Sequence, residues 1–365
     1  MITLNSSVGN YIRLKNERYS YFAGNNYLGL ANHPDVVKDS VLALQKYGVN
    51  FSASRQTTGT SDLHLKLEKL LAEFKAKESA ITFASGYMGN RLLLEQLKHR
   101  YSVIYVDSMA HASITDGIPG MFSNIVFFRH RDPDNLEEIL ERDKEQQPIV
   151  VTDGIFSLTG EIAPLDRIYP LVRKHNGLLL VDDAHATGVL GPNGRGTPDY
   201  FGLDGAPGIY QSETMSKALG AYGGFIAGSE EFIGQLRGKS SFYQASTSLP
   251  PSIVAAACSS LKLIKGNPQW RNVLLKNSEH LRNGIIELGF DTSGSNTPIV
   301  PVYFSEQQTA RDLSAYLEEN LIIAPAVDYP VKMEKFIVRI TVSAIHTEDQ
   351  IENLLDILKN WRDSR

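Results

Sequence analysis

Three short segments contain the residue types that could carry out chemistry, and each lies at the end of a predicted sheet strand. They are DSMAHAS (107–113), VDDAHATG (181–188) and SETMSKALGAYGG (212–224). Lys217 has small residues on both sides, which leave room around its amine, and the hydroxyls of Ser212, Thr214 and Ser216 precede it. A lysine that forms a Schiff base needs such a crowded, partly dry pocket to lower its pKa. The three hydroxyls could hold a phosphate.

Asp182 and His185 complete a candidate cofactor site. Asp182 ends an all-apolar strand, so its carboxylate is either buried with a partner or lines a cleft. Lys217 follows Asp182 by 35 residues and His185 by 32, a spacing that fits one helix and one strand between adjacent sheet positions. Pyridoxal phosphate (PLP) requires a Schiff-base lysine, an acid that keeps the pyridine nitrogen protonated and an imidazole near the ring oxygen. The alternative is that Asp182 and His185 are metal ligands, although the sequence clusters no third ligand with them.

The elements that position these residues alternate between apolar strands and amphipathic helices. We predict a helix in LDRIYPLVRKHNG (165–177) and strands in PIVVTDGIFS (148–157), LLLVDDA (178–184), GIYQSETMSK (208–217) and GGFIAG (223–228). Strands that are apolar on both faces predict an α/β fold with a mostly parallel sheet covered on both sides. Such sheets bind their ligands at the strand ends. Pro170 is expected to kink its helix or delay its start.

A further helix is predicted in DLHLKLEKLLAEFK (62–75), before this core, with Ser61 or Asp62 as its N-cap. Helical spacing predicts that one face carries Leu63, Leu67, Leu70, Leu71 and Phe74. We expect that face to be buried.

The C-terminal part of the chain shows a different pattern. Segment 298–361 is predicted to form a strand (PIVPVYF), a helix (TARDLSAYLEEN), two strands (LIIAPA and KFIVRITV) and a helix (EDQIENLLDILKNW), which is typical of a small α+β domain. Thr347 and Gln350 are predicted to form a capping box at the start of the last helix. The predicted parts are an N-terminal segment packing with the small domain (1–40), a large PLP-binding domain (41–250), a linking helix region (251–290) and the small C-terminal domain (291–365).

The composition and net charge argue against nucleic-acid-binding and membrane proteins. The chain has 365 residues, 42% of them hydrophobic, and a formal charge of −5, which is typical of a soluble globular protein. This charge gives no reason to expect nucleic acid or a membrane as a partner, and no apolar stretch approaches the ~20 residues of a membrane span. Cys258 is the single cysteine and lies in an apolar run, so a buried thiol is favoured over a nucleophile. We expect a cytoplasmic protein.

Several segments, in order along the chain, resemble the α-oxoamine synthase family of PLP enzymes. They are NNYLGLANHP (25–34), FASGYMGN (83–90), HASITDG (111–117), DGIFSLTGEIAPL (153–165), VDDAHATGVLGPNGRG (181–196), the lysine segment, STSLPP (246–251) and RITVSAIHT (339–347). The resemblance implies PLP as the cofactor. It also implies fold type I, with a mostly parallel seven-stranded sheet in the large domain and a smaller C-terminal α+β domain.

The resemblance also implies roles for the residues around the cofactor ring. Lys217 resembles the lysine that forms the Schiff base, Asp182 the partner of the pyridine nitrogen and His185 the partner of the ring hydroxyl. His111 resembles the imidazole that stacks on the ring; the alternative is a buried histidine with satisfied hydrogen bonds. Ser157 matches a hydroxyl beside the cofactor, and Glu161 follows it in the same loop.

Further matches concern the phosphate and the substrate. Gly86 and Tyr87 match the turn that holds the phosphate, joined by Thr214, and an anion at the start of a helix meets backbone N–H groups. Arg339 resembles the arginine that binds the substrate carboxylate, assisted by Asn25; the alternative is a surface strand residue. STSLPP, with Thr247, resembles the segment that reaches the phosphate of the neighbouring subunit, which implies a homodimer with a shared active site.

The implied reaction is decarboxylative condensation of an α-amino acid with an acyl-CoA or acyl-carrier thioester. TMSKALGAYGGFIAGS and DGIFSLTGEIAPL look most like the 8-amino-7-oxononanoate synthase branch, which uses L-alanine and a pimeloyl thioester. RQTTGTSDLH looks equally like the aminoketobutyrate ligase branch, and serine palmitoyltransferase stays open. Many members carry a helical extension before NNYLGL, which we expect this chain to lack, and DYPVKMEKF (328–336) departs from the family pattern. An aminotransferase or a non-catalytic subunit are the alternatives.

Overall fold

A computed structural model describes residues 2–14, 16–116, 118, 124–327 and 334–365. The strands are β1 (Tyr11–Leu14), β2 (Glu17–Tyr21), β3 (Ser79–Phe83), β4 (Val103–Asp107), β5 (Ile125–Phe128), β6 (Pro148–Asp153), β7 (Leu178–Asp182), β8 (Ile209–Thr214), β9 (Gly224–Gly228), β10 (Ile299–Phe304), β11 (Ile322–Ile323), β12 (Ala326–Val327) and β13 (Phe336–Thr341). The helices are α1 (Pro34–Tyr47), α2 (Asp62–Phe74), α3 (Gly89–Leu97), α4 (Ala112–Thr115), α5 (Pro133–Arg142), α6 (Leu165–Lys174), α7 (Thr197–Tyr200), α8 (Glu230–Lys239), α9 (Ser241–Ala245), α10 (Pro251–Gly266), α11 (Gln269–Glu287), α12 (Gln307–Glu319) and α13 (Glu348–Asp363). Two short 3-10 helices span Leu30–Asn32 and Gly86–Met88.

The chain forms two compact units. The larger unit contains Pro34–Phe156 and Ile162–Gly266, and the smaller contains Met1–His33, Ser157–Glu161 and Asn267–Arg365. The chain passes from one to the other between α10 and α11. Segment 251–290, predicted as a linking helix region, holds two helices, because Pro268 disfavours a helical conformation at Asn267.

The larger unit is built on a seven-stranded sheet in the order β3-β9-β8-β7-β6-β4-β5. The five strands from β8 to β5 run parallel, and β9 is antiparallel to both of its neighbours. Alternate residues of one strand face opposite sides, so Ile149 and Val151 join one apolar cluster and Val150 the other. The prediction of an α/β fold with a mostly parallel sheet is confirmed.

The parallel strands β6, β7 and β8 end together at one edge of this sheet. Asp153 pairs in register with Asp182, and Asp182 with Ser212. The chemistry-bearing segments after these strands therefore meet at one edge, as expected of an open parallel sheet.

The smaller unit has the α+β pattern predicted for the C-terminal segment. Its antiparallel sheet, β10-β13-β12, packs an apolar core with α11, α12 and α13. The capping box of Thr347 and Gln350 opens α13 as predicted. The predicted strand LIIAPA is instead split, because β11 pairs with β2 and β12 pairs with β13.

Two local predictions need correction. Helix α6 begins at Leu165 and continues through Pro170, so of the two expected effects of this proline the delayed start is wrong. In α2, capped by Ser61, the buried face includes His64 and Glu68, whereas Leu63 is only half-buried. The polar pair is buried because Glu68 binds Arg55 and His64 Nε2 bonds the carbonyl of Leu249. Within the part of the chain that the structure describes, no helix is long and apolar enough to span a membrane.

Candidate active site

A cavity of about 220 Å³ lies at the strand-end edge of the seven-stranded sheet. The cavity brings together the predicted site residues Gly86, Tyr87, His111, Asp182, His185, Thr214 and Lys217. The lining is completed by Ser85, Ser113, Asp153, Ala184 and Ser216. A lysine, two carboxylates, two imidazoles and several hydroxyls thus share one cavity.

Lys217 is placed by a tight turn that follows β8. Met215 N donates to Gly223 O (2.9 Å), and Gly220 N donates to Lys217 O (2.9 Å). Gly223 has a φ of 102°, and a Cβ there would lie 3.0 Å from Phe83 O, so glycine is required. The turn leaves the Lys217 side chain half-buried against the cavity, as a Schiff-base lysine needs.

Asp182 is held by uncharged donors. Asn90 Nδ2 donates to its Oδ2 at 2.6 Å and Ala184 N to its Oδ1 at 3.1 Å, while Ser113 Oγ lies 3.4 Å from Oδ2. The residue is 8% exposed and lines the cavity. A carboxylate has about four acceptor positions, so these contacts leave it able to accept a further donor.

His111 caps the N-terminus of α4 with its ring. Its Nδ1 accepts a hydrogen bond from Ser113 N (3.1 Å) and lies 2.8 Å from Ser113 Oγ. Burial lowers the pKa of His111 more than the Asp182 carboxylate raises it. The ring therefore enters the cavity as a neutral imidazole, and it meets the Tyr87 ring edge-on at 6.2 Å between centroids.

Asp153, at the end of β6, is a cavity residue that the sequence reasoning missed. Its Oδ1 accepts from the backbone N–H of His111 at 3.1 Å, and the residue is 3% exposed. Burial raises the pKa of Asp153 well above its usual range, and the negative charge of Asp182 raises it further. Because Asp153 ends its strand beside Asp182, the strand-end rule that selected Asp182 could have found it.

The turn at Gly86 and Tyr87 fits a phosphate. A Cβ on Gly86 would lie 2.7 Å from Thr214 Cβ, so a side chain would fill this cradle. Thr214 Oγ1 lies 2.8 Å from Ser216 Oγ, which places two hydroxyls together. The turn leads directly into α3, and the start of a helix presents backbone N–H groups to an anion.

Asn25, Ser157 and Arg339 lie together in the smaller unit. Arg339 Nε donates to Ser157 O (2.7 Å), and its Nη2 donates to Asn25 Oδ1 (3.0 Å). Its Nη1 donates to Thr341 Oγ1 at 2.8 Å, and the residue is 8% exposed. Arg339 is therefore buried, and the alternative of a surface strand residue is wrong.

The other singled-out residues lie elsewhere. Thr247 is exposed and pairs with Ser54 in an isolated β-bridge of the larger unit. Glu161 N donates to Thr159 Oγ1 (3.3 Å) in the smaller unit. Burial raises the pKa of Cys258 to about 11, which keeps this thiol protonated. The described residues contain no group of three or more His, Cys, Asp or Glu that could hold a metal ion, and the segment 328–333 of DYPVKMEKF lies outside them.

Comparison with known proteins places these features in a family. The sequence matches the aminotransferase class I and II family over residues 20–358. It is 38% identical over 351 residues to an 8-amino-7-oxononanoate synthase of Alkaliphilus metalliredigens, covering 95% of this chain and 89% of the relative. A solved serine palmitoyltransferase of S. paucimobilis with a bound PLP–myriocin aldimine matches with a TM-score of 0.94 and 29% identity, over 100% of this chain and 92% of that one. A solved 8-amino-7-oxononanoate synthase of Francisella tularensis matches with a TM-score of 0.81 and 27% identity, over 94% and 98% of the two chains. The chain therefore belongs to the aminotransferase class I and II family, in its α-oxoamine synthase group with fold type I.

Proposed function

We propose that this chain is a PLP-dependent acyltransferase that joins L-alanine to a pimeloyl thioester, with loss of CO₂, to form an α-amino ketone. The observation that carries the proposal is the cavity that gathers Lys217, Asp182, His111 and His185 at one edge of the sheet. The relatives named 8-amino-7-oxononanoate synthase support this choice of substrates.

The residues that line the cavity fit PLP. Gly86, Tyr87 and Thr214 would hold its phosphate, since the turn is shaped as a cradle and two hydroxyls adjoin it. Asp182 would bind the ring nitrogen, and His185 the ring oxygen. Lys217 would hold the aldehyde covalently. Bound PLP supplies an electron sink that stabilises negative charge at the Cα of an amino acid.

The chain's own groups account for binding and proton transfer. Lys217 Nζ is the base that takes the Cα proton, because its turn leaves it half-buried in the cavity. Arg339 binds the substrate carboxylate, a role that suits its planar guanidinium fork, which hydrogen bonds to protein atoms hold in place. Asn25 orients the guanidinium. His111 donates a hydrogen bond to the carboxylate or to the new ketone oxygen.

We propose further that the active protein is a homodimer in which Thr247 contributes to the partner's phosphate site. Several apolar side chains of α1 and α2 are exposed, namely Val37, Val41, Leu42, Leu44 and Leu65. Val37, Val41 and Leu44 lie on one face of α1 by their helical spacing, and exposed apolar surface marks an interaction site, which supports an interface on this side of the larger unit. We also place the protein in the cytoplasm, since its single thiol is buried and suits a reducing compartment.

The test is thiol release from purified protein supplied with PLP, an amino acid and a thioester. Glycine, alanine and serine are combined with short, dicarboxylic and long acyl-CoA thioesters, and with pimeloyl carrier protein. We expect release that needs alanine and the pimeloyl donor and that is lost in Lys217→Ala. Release with glycine and acetyl-CoA, or with serine and a long chain, would contradict the substrates and keep the reaction class. An oxo acid without thiol release would show an aminotransferase instead.

A further inference from the structure

Asn90 connects two side chains that line the cavity: it contacts Asp182 directly and His111 through Ser113. It lies in the first turn of α3 and is fully buried. Its Nδ2 donates to Asp182 Oδ2 at 2.6 Å and to Ser113 Oγ at 3.0 Å. Ser113 Oγ in turn lies 2.8 Å from His111 Nδ1 and 3.4 Å from Asp182 Oδ2. One amide and one hydroxyl thus connect the carboxylate to the imidazole.

These contacts fix the direction of each hydrogen bond. Because the backbone N–H of Ser113 points at His111 Nδ1, that nitrogen is the acceptor. The proton of the neutral ring is then on Nε2. The amide orientation of Asn90 is fixed as well, since a reversed amide would place its oxygen against the Asp182 carboxylate.

The other half of the Asn90 amide indicates a role beyond stability. Its Oδ1 is buried and, within the part of the chain that the structure describes, has no hydrogen-bond partner. A buried acceptor without a partner destabilises the folded state. The side chain is therefore poorly explained as a stabilising contact, and what it provides is its donor to Asp182.

We propose that Asn90 and Ser113 are positioning residues that hold Asp182 and His111 as one hydrogen-bonded unit. The unit fixes the Asp182 carboxylate for the pyridine nitrogen and sets the His111 tautomer that carries its proton on Nε2. The inference rests on the proposed function, because Asp182 and His111 matter in this way only if the cavity holds PLP.

The test replaces the amide by groups of the same size or smaller and measures the dissociation constant of PLP from pH 5.5 to 8.5. Asn90→Ala removes the donor, and we expect PLP to bind roughly tenfold more weakly at every pH. Asn90→Asp puts a carboxyl against Asp182. When ionised, it repels Asp182 and donates nothing; when protonated, its O–H restores the bond. We expect a loss of about 100-fold at pH 8.5 that shrinks as the pH falls.

The titratable groups that line the cavity at this position are Asp182, Asp153, His111, His185, Lys217 and Tyr87, and they are the same in all variants. Dividing each variant's constant by that of the wild type at the same pH therefore isolates the new carboxyl. Ser113→Ala should weaken PLP binding by a few-fold, and Ser113→Thr should restore it. The matched control is Asn193→Asp, whose amide also donates to a carboxylate, Asp199, at 3.0 Å, outside the residues that line the cavity.

The outcomes separate the inference from the proposed function. Dissociation constants of both Asn90 variants within twofold of the wild type at all pH values would overturn the positioning role. A pH-dependent loss of the same size in Asn193→Asp would overturn it too. A wild-type chain that binds no PLP at micromolar concentration would instead overturn the proposed function. Weaker binding in Asn90→Asp that recovers at low pH, with an unchanged far-UV spectrum, supports the inference.

Discussion

Asp182 and Asp183 are neighbours at the end of β7, yet they lie in opposite environments. Asp182 lines the cavity, and its oxygens accept one hydrogen bond each from Asn90 and a backbone N–H. Asp183 is fully buried and accepts from Thr197 N (2.9 Å), Thr197 Oγ1 (2.6 Å) and Gln211 Nε2 (2.7 Å). The first carboxylate keeps capacity for a ligand, whereas the second is saturated by the protein.

The same contrast extends across β8. Thr214 faces the cavity, while the preceding residue, Glu213, is fully buried and forms an ion pair with Lys75, which also donates to Arg195 O. We call the buried group behind the cavity the back cluster; its members are Lys75, Asp183, Thr187, Thr197, Gln211 and Glu213. The strand ends therefore carry the candidate functional groups on one face. On the other face, they carry a buried cluster of paired charges that stabilises the fold.

The largest expected difference between the two faces is that a cavity residue can be replaced with loss of activity but without loss of the fold. Lys217→Ala should lower thiol release by roughly 10³-fold or more, because the chain loses both its covalent anchor and its base. Its side chain is half-buried, so the urea midpoint should stay close to that of the wild type. Full thiol release by Lys217→Ala would contradict the catalytic role assigned to the cavity face.

The opposite result is expected for the back cluster. Lys75→Met leaves the buried Glu213 and Asp183 carboxylates without their cation, and breaking a buried ion pair destabilises by about 4 kcal/mol. Urea unfolding of the apoprotein measures this loss. The double variant Lys75→Met/Glu213→Gln removes both charges and should regain part of it. Equal stability of Lys75→Met and the wild type would refute the anchoring role.

The cavity side was predictable from sequence, and the back cluster was not. Lys217, Asp182 and His185 follow apolar strands at regular spacing, and parallel strands end at one edge, so their meeting follows from local patterns. The same logic extends to Asp153, which went unnoticed although it also ends a buried strand.

The back cluster departs from the burial patterns on which prediction from sequence depends. Charged residues are almost never fully buried unless they are paired, and Lys75 directly follows the last residue of α2, so solvent exposure is the normal expectation for it. Its partner, Glu213, is distant in sequence, so nothing local signals the pair. Glu68 and His64 entered the buried face of α2 for the same reason, since their partners come from other segments.

The pH dependence of stability should differ between the wild type and Glu213→Gln. Burial raises the pKa of Glu213 to about 7, more than the positive charge of Lys75 lowers it, and its Oε2 has no hydrogen-bond partner among the described residues. The folded state thus binds this proton more tightly than the unfolded state, in which the pKa is near 4.5. Stability must fall as the pH rises through the range between these two values, by up to about 3 kcal/mol.

The measurement is the free energy of unfolding of both proteins from pH 4.5 to pH 8. Groups that titrate alike in both proteins cancel when the two free energies of unfolding are subtracted. As the pH rises, the stability of Glu213→Gln relative to the wild type should increase. A difference that is constant with pH would show that Glu213 stays ionised throughout beside Lys75. Protonation of Glu213 would then contribute nothing to the stability of the folded protein in this pH range.

The smallest effect should come from a single hydroxyl of the back cluster. Thr187 Oγ1 donates to Glu213 Oε1 at 3.0 Å and is buried. Thr187→Val keeps the shape and removes one hydrogen bond to a carboxylate, so unfolding should become easier by about 1–2 kcal/mol. PLP affinity should stay within twofold of the wild type, since Thr187 does not line the described cavity. A loss of PLP affinity larger than the loss of stability would show that the two faces of the strand ends are coupled, and the division between function and anchoring would have to be abandoned.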